Sequence, residues 1–480
     1  MLEIVQKGGA IMDEQQNNET RPANPRRRQR SQLQIFKEAY LPAVIACIAL
    51  LLIIVFIIGS ITRGIQRSKQ EAQASLEASV SEANELARLN QEASALMRDA
   101  AVLAQHFDYE SAIHVLDTFS GDMSQFAEIS AKRAEYADAM DSMVLWNDPS
   151  QVLNLSFQLL IADPARAFTD EIYGESYNRN FVTTGEFSKI LQQLYENGYI
   201  LVSMSDITAN GAVKDLYLPN GKKPLILTQT NVNYNTYMID SDGDELPDKD
   251  GDGFASKLVL DANGNIACEM VDSFGQTVTG AYDLVPILDS FIETHPDFSY
   301  KGAKAILAVT GYDGLFGYRT SAEAKDFFGT AYHNEQVEGA TQILQALRAS
   351  GYEIACYTYE NEAYGTYSAS EIQSDLNKWN EEVSPILGTV DILVYARNSD
   401  ISDSTVIYSG DKYAVLQNFG FTCYLGFCTE GEPWFFAQNE YVRQGRILVT
   451  GANMAYNASW FEGIFDAASV LDKSRGTVPS

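Results

Sequence analysis

Residues 41–61 run for about twenty positions without a single charged side chain. A helix of that length spans the roughly 30 Å hydrocarbon core of a bilayer, where irregular backbone would leave its polar groups unsatisfied. The run therefore predicts one transmembrane helix over residues 40–62, with a tail at 1–39 and the rest of the chain beyond it. Lys7, Arg21, Arg26, Arg27, Arg28, Arg30 and Lys37 precede the run, whereas Arg63, Arg67 and Lys69 follow it closely. That asymmetry predicts a single-pass cell-membrane protein with a cytoplasmic N-terminus and an extracytoplasmic main domain. Val44, Ile45, Ala46 and Cys47 imitate a lipoprotein cleavage box, but the apolar stretch continues well past the cysteine, which favours an anchor.

The parts flanking the run differ in charge. The tail carries 7 basic and 5 acidic residues, and the remainder 27 basic and 59 acidic, a net of −32. Such a field disfavours nucleic acid or an anionic lipid surface as partner and suits a neutral or cationic ligand, or divalent ions. Cys268, Cys356, Cys423 and Cys428 do not make a disulfide framework, and the last two lie in the apolar run "FTCYLGFC", which predicts buried free thiols.

After Gly64 the sequence to residue 107 is rich in Ala, Glu, Gln, Ser and Leu, so a long helix is expected. Leu86, Leu89, Ala93, Leu96, Ala100, Leu103 and Phe107 repeat at intervals of 3 and 4, a coiled-coil seam with weak alanine knobs. It predicts packing on the next helix, or a dimer through the stalk. "AQHFDYESAIHVLDTFSGD" resembles the turn and second helix of a tetratricopeptide repeat. Residues 63–148 thus read as a helical stalk.

From about Val152 the texture becomes alternating apolar strands and amphipathic helices. The strands are "VLNLSFQLLI", "YILVS", "PLILTQT", "AKAILAVT", "EIACYTY", "DILVYAR", "FTCYLGF" and "RILVT". Near-continuous apolar strands separated by helices predict an α/β fold with a parallel sheet covered by helices, and the strand count favours a barrel over 150–480. In such barrels the functional site lies beyond the C-terminal strand ends. Those ends lead to Asn231, to Tyr312 and Asp313, to Glu360 and Asn361, to Arg397 and Asp400, to Glu430, and to Asn453.

One insertion stands out. "DSDGDELPDKDGDG" spaces Asp240, Asp242, Asp244, Asp248 and Asp252 so that a tight turn brings carboxylates to one point, as a hard cation requires. The loop resembles the calcium repeats of thrombospondin type 3, with Glu245 where a glycine is usual, and predicts a structural calcium. "KLVLDANGNIACEMV" follows as a hairpin with an Asn-Gly turn, giving an insertion at 240–270.

Over residues 152–454 the chain resembles the polysaccharide deacetylase family, also called carbohydrate esterase family 4. "VTTGEFSKILQQLYENGYILVSMSDI" is similar to the helix and strand before that family's first motif. "KPLILTQTN" stands where the family has a strand ending in T-F-D-D, and "GYEIACYTYEN" where it has G-x-E-I-x-x-H-T-x-x-H. The resemblance implies a distorted (β/α) barrel acting on carbohydrate, with an aspartate base and a divalent metal held by an aspartate and two histidines. Those positions fall on Thr230, Asn231, Tyr357 and Asn361, and "RILVTGANM" lacks the histidine expected after the last strand. Neutral amides, a hydroxyl and a phenol do not make a zinc site, so no catalytic residue and no catalytic zinc are expected.

Two functions compete at this point. The first is a membrane-anchored protein binding a cell-wall or other carbohydrate, with Asn231, Tyr312, Asp313, Arg319, Tyr357, Glu360, Asn361 and Arg397 lining the cleft and Trp434, Phe435 and Phe436 as a stacking platform or a core plug. The second is an active carbohydrate hydrolase, either a deacetylase with a non-standard site or a glycosidase using a pair among Asp313, Glu360, Asp400 and Glu430.

Overall fold

The structure is a computed structural model that describes residue 37 and residues 40–240, 246–404 and 406–479. It divides into two units, residues 1–88 and 89–480. In the first, the apolar run lies in the helix Leu41–Gln105, whose most apolar window has a mean hydropathy of 3.3 and is wholly unburied, so this helix is long and apolar enough to cross a membrane. Leu76, Val80 and Leu86 on the same helix are exposed. The basic tail before residue 37 lies outside the described residues.

In the second unit Ala93 and Ala100 are buried against the helices Tyr109–Asp117 and Ala127–Asp141, packed with Leu116, Ile129 and Tyr136. The lower part of the alanine seam thus closes on its own hairpin, because small side chains let helices approach closely. The hairpin is tied to the main domain where His106 accepts from the Lys301 amide at 2.7 Å through its carbonyl.

Seven strands build the main domain: β1 Leu153–Phe157, β2 Lys223–Thr230, β3 Ala305–Val309, β4 Glu353–Cys356, β5 Ile392–Val394, β6 Cys423–Phe427 and β7 Val442–Leu448. Each pairs in parallel with the next, and β7 pairs with β1, so the sheet closes into a barrel in chain order. The run "YILVS" stays outside the ring as Tyr199–Leu201, paired to the start of β2. Side chains alternate as a pleated strand demands. Ile226, Ile306, Ala308, Ala355, Val394 and Leu425 fill the inside, while Leu225, Leu227, Leu307, Ile354, Leu393 and Tyr424 face the covering helices. Met204, Ile207, Leu216 and Leu218 join the inner cluster.

The covering helices start on local signals. Thr183 and Ser368 make capping boxes with Glu186 and Glu371, fixing Thr184–Glu196 and Ala369–Glu382. Buried Arg475 then pairs with Glu186 at 2.6 Å, anchoring the end of the chain. Between β6 and β7 a strand takes the place of an α-helix: Phe435–Ala437 runs antiparallel to β7. In the insertion, Lys257–Leu260 and Ile266–Val271 form the expected hairpin, and a third strand, Thr277–Gly280, extends it.

Candidate functional site

A polar ladder crosses the barrel interior at mid-height. Asn154 donates to the Gln444 amide oxygen at 3.0 Å and accepts from the Thr228 hydroxyl at 2.9 Å, while Gln444 donates to the Val152 carbonyl. Every group in it has a partner, as burial requires. One layer nearer the C-terminal rim lies Arg446, also fully buried. Its guanidinium donates to the Ser156 hydroxyl at 2.8 Å and to the Gly426 and Tyr395 carbonyls at 2.9 and 3.3 Å. Burial pushes its proton affinity down, and the groups opposing that shift are Tyr357 and Cys428, with no carboxylate among them.

The rim over β2, β3 and β4 is built from amides and phenols. Asn233 clamps the loops after β2 and β3: its side chain donates to the Thr310 and Gly314 carbonyls and accepts from the Thr310 amide at 2.9 Å. Asp375, whose carboxyl is raised by burial, accepts from the Tyr359 and Glu360 amides and the Tyr364 hydroxyl at 2.8, 3.0 and 2.6 Å, shaping the loop that carries Asn361. Asn231, Thr358 and Asn361 adopt left-handed backbone at φ 60°, 62° and 56°, a conformation that costs free energy in non-glycine residues and concentrates at working sites. Asn231 Oδ1, Asn361 Oδ1 and Thr310 Oγ1 are buried without a hydrogen-bond partner.

Other expected site residues are placed differently. Asp313 accepts from the Thr236 amide and hydroxyl at 2.8 and 2.7 Å and pairs with Arg319 at 3.5 Å, and buried Arg319 also holds the Tyr234 and Asp313 carbonyls. Both brace the loop. Glu360 is exposed and ion-paired with Lys378. Arg397 is exposed at φ 51°, in electrostatic reach of half-buried Tyr312. Asp400 pairs with Arg443 at 2.8 Å. Three of the four carboxylates suggested for an acid and base pair therefore face a cation.

Of the acidic loop, Asp242 and Asp244 lie outside the described residues. Asp248 accepts from the Asp250 amide at 2.8 Å, and the Asp252 carboxyl, 8 % exposed, accepts from the Tyr177 hydroxyl. Burial first, with Asp170 adding to it, lifts the Asp252 carboxyl to about 6.

The rim over β5, β6 and β7 is ionic and aromatic. Arg443 is fully buried, donates to the Val406 and Ser402 carbonyls at 2.7 and 3.1 Å, and lies 4.1 Å from the centre of the Tyr408 ring, while the Tyr408 hydroxyl donates to Asp400 at 2.5 Å. Sequence reasoning missed Arg443 and Arg446. Their signal was available, since "VRQGRI" puts two arginines into a strand otherwise destined for burial, on opposite faces.

No protein-family model matches this sequence, and no curated protein does. Among solved structures that resemble this chain, two are as follows. The deacetylase PplD of Streptococcus pyogenes in complex with acetate is 11 % identical, with 69 % of this chain and 99 % of that chain covered, at a TM-score of 0.32. A de-N-acetylase from Aggregatibacter actinomycetemcomitans is 10 % identical over 65 % of this chain and 99 % of its own, at 0.34. At those scores the fold class rests on the strand order itself: an α/β domain with a closed seven-stranded parallel barrel.

Proposed function

We propose that this chain is a membrane-anchored, extracytoplasmic carbohydrate-binding protein whose barrel rim over β2, β3 and β4 holds sugar hydroxyls without metal-dependent deacetylation. The observation that carries this reading is the trio of buried, unpartnered acceptors, Asn231 Oδ1, Asn361 Oδ1 and Thr310 Oγ1. Such groups cost free energy until a donor arrives, and hydroxyl-rich ligands bring donors. The neighbouring Thr230, Asn231, Tyr357 and Asn361 offer neither carboxylate nor imidazole, so the donor set does not fit a zinc-type catalytic centre. The same reading includes a structural calcium in the loop of Asp240, Asp242, Asp244, Asp248 and Asp252, and a cell-envelope polymer as ligand.

The test is glycan binding by the full chain in detergent, with acetate release from acetylated oligosaccharides and metal content measured on the same sample. Binding without acetate, and calcium as the retained metal, is the expected result. Acetate release at a stoichiometric zinc, cobalt or nickel would overturn it in favour of a hydrolase with ligands other than these.

A further inference from the structure

A cleft of the main domain lies beside the barrel's outer face, where the segment between β6 and β7 carries a strand in place of an α-helix. It holds about 850 Å³, within the range of ligand sites, and Asn398, Asp400, Asp403, Thr429, Glu432 and Trp434 line it. No lysine, arginine or histidine is among its lining residues.

Trp434 is seated by the sheet. Gly426 and Gly445 are register partners on β6 and β7, and they leave a bare patch of backbone beneath the indole. A methyl group at Gly445 would collide with the indole nitrogen, and one at Gly426 would lie 3.0 Å from its ring. The indole N–H is already used, donating to the Phe427 carbonyl at 3.1 Å, so the ring offers the cleft an apolar surface and no donor.

The opposite wall is held as firmly. Arg443, behind the cleft, holds Asp400 and the Ser402 and Val406 carbonyls, and Lys412 donates to the Gly365 carbonyl at 2.8 Å. Arg397, Asn398 and Glu430, at the bases of the two walls, adopt left-handed backbone at φ 51°, 52° and 59°. Fixed walls lower the ordering cost of binding.

We propose that this cleft binds a pyranoside carrying a free ammonium group. The fixed indole stacks on the sugar's apolar face, and hydroxyl and carboxylate acceptors take its donors. Asp400 is already matched by Arg443, so Asp403 and Glu432 are left to meet the positive charge. The inference rests on the carbohydrate reading above and adds a second subsite, outside the barrel, with its own charge preference.

The experiment titrates full-length protein in detergent with a glucosamine hexamer and its fully N-acetylated counterpart, following tryptophan fluorescence and heat. The glucosamine hexamer is expected to bind more tightly, and to bind about tenfold more weakly to Trp434→Ala. The surface variant Asp403→Asn with Glu432→Gln, which keeps shape and packing, should lose a similar factor for the glucosamine hexamer alone. If both variants bind like the parent while Asn361→Gly loses binding, the cleft proposal falls and the rim reading stands. Equal affinity for the two hexamers, unaffected by the carboxylate variant, removes the ammonium specificity. If neither hexamer binds the parent, both readings fall.

Discussion

The rim over β2, β3 and β4 and the rim over β5, β6 and β7 sit on one closed sheet and are built on opposite principles. The first keeps its charges in the bracing of its loops and leaves neutral acceptors open: Asn231, Asn361 and Thr310 each have a buried oxygen without a donor. The second is charged and its carboxylate is paired, with Asp400 bound by Arg443 and by Tyr408, while Arg443 Nε alone stays without a partner among the described residues. An open acceptor costs stability until a donor from a ligand or water reaches it, whereas a paired buried carboxylate holds shape whether or not a ligand is present. On the proposed function, the difference separates a sector whose acceptors wait for a ligand from one whose ion pair holds the wall of the outer cleft in place.

The largest expected effect breaks the matched sector. Arg443→Ala leaves Asp400, 11 % exposed at its side chain, without its cation, and removes the donors to the Ser402 and Val406 carbonyls. Loss of one partner of a buried pair costs about 3–5 kcal/mol, which urea unfolding followed by tyrosine and tryptophan fluorescence will read. A loss below about 1 kcal/mol would mean that solvent reaches Asp400 and that the two sectors do not differ in the way described.

In the insertion after β2, burial raises the Asp252 carboxyl. Its folded pKa of about 6 lies above the ordinary aspartate value, so between about pH 4 and 6 the unfolded chain gives up this proton before the folded one does. Stability from this group is present at low pH and is lost as the pH rises through about 6. With calcium chelated, Asp252→Asn should remove that slope and raise stability at pH 7 by on the order of 2 kcal/mol. With millimolar calcium the same variant should be the less stable one, because the proposed site loses a ligand. A gain that is the same with and without calcium would remove Asp252 from the calcium loop.

Much of this is legible in the sequence. The barrel follows from strands whose apolar residues run without interruption, and two of its helices from the local patterns Thr183-x-x-Glu186 and Ser368-x-x-Glu371. Asn231 and Asn361 stand out as amides at strand ends. What could not be read depends on partners far along the chain. Asp400 and Arg443 are 43 residues apart, and nothing local marks them as a pair. "EPWFF" reads equally as platform or plug until Gly426 and Gly445 are known to be register partners beneath Trp434. In sequence "TGYDGLFGYRT" reads either as a ligand-facing loop or as an ordered loop braced by Arg319, and the distant Tyr234 carbonyl, with that of Asp313, decides for the brace.

The smallest expected effect on stability sharpens the comparison most. Asn361 sits at φ 56° with its side-chain oxygen unpartnered, so Asn361→Gly removes an unsatisfied acceptor and puts at that position the residue for which left-handed backbone is free of strain. The added freedom of glycine in the unfolded chain works against those gains, and the net change should stay within about 0.5 kcal/mol. Carbohydrate affinity should nevertheless fall by about tenfold, the worth of one hydrogen bond made by a buried group. A variant that unfolds like the parent and still loses its ligand is what an acceptor kept open for binding implies. If Asn361→Gly costs more than about 2 kcal/mol and leaves affinity unchanged, the open oxygen is part of the fold's own support, and the contrast between the two sectors is one of packing alone.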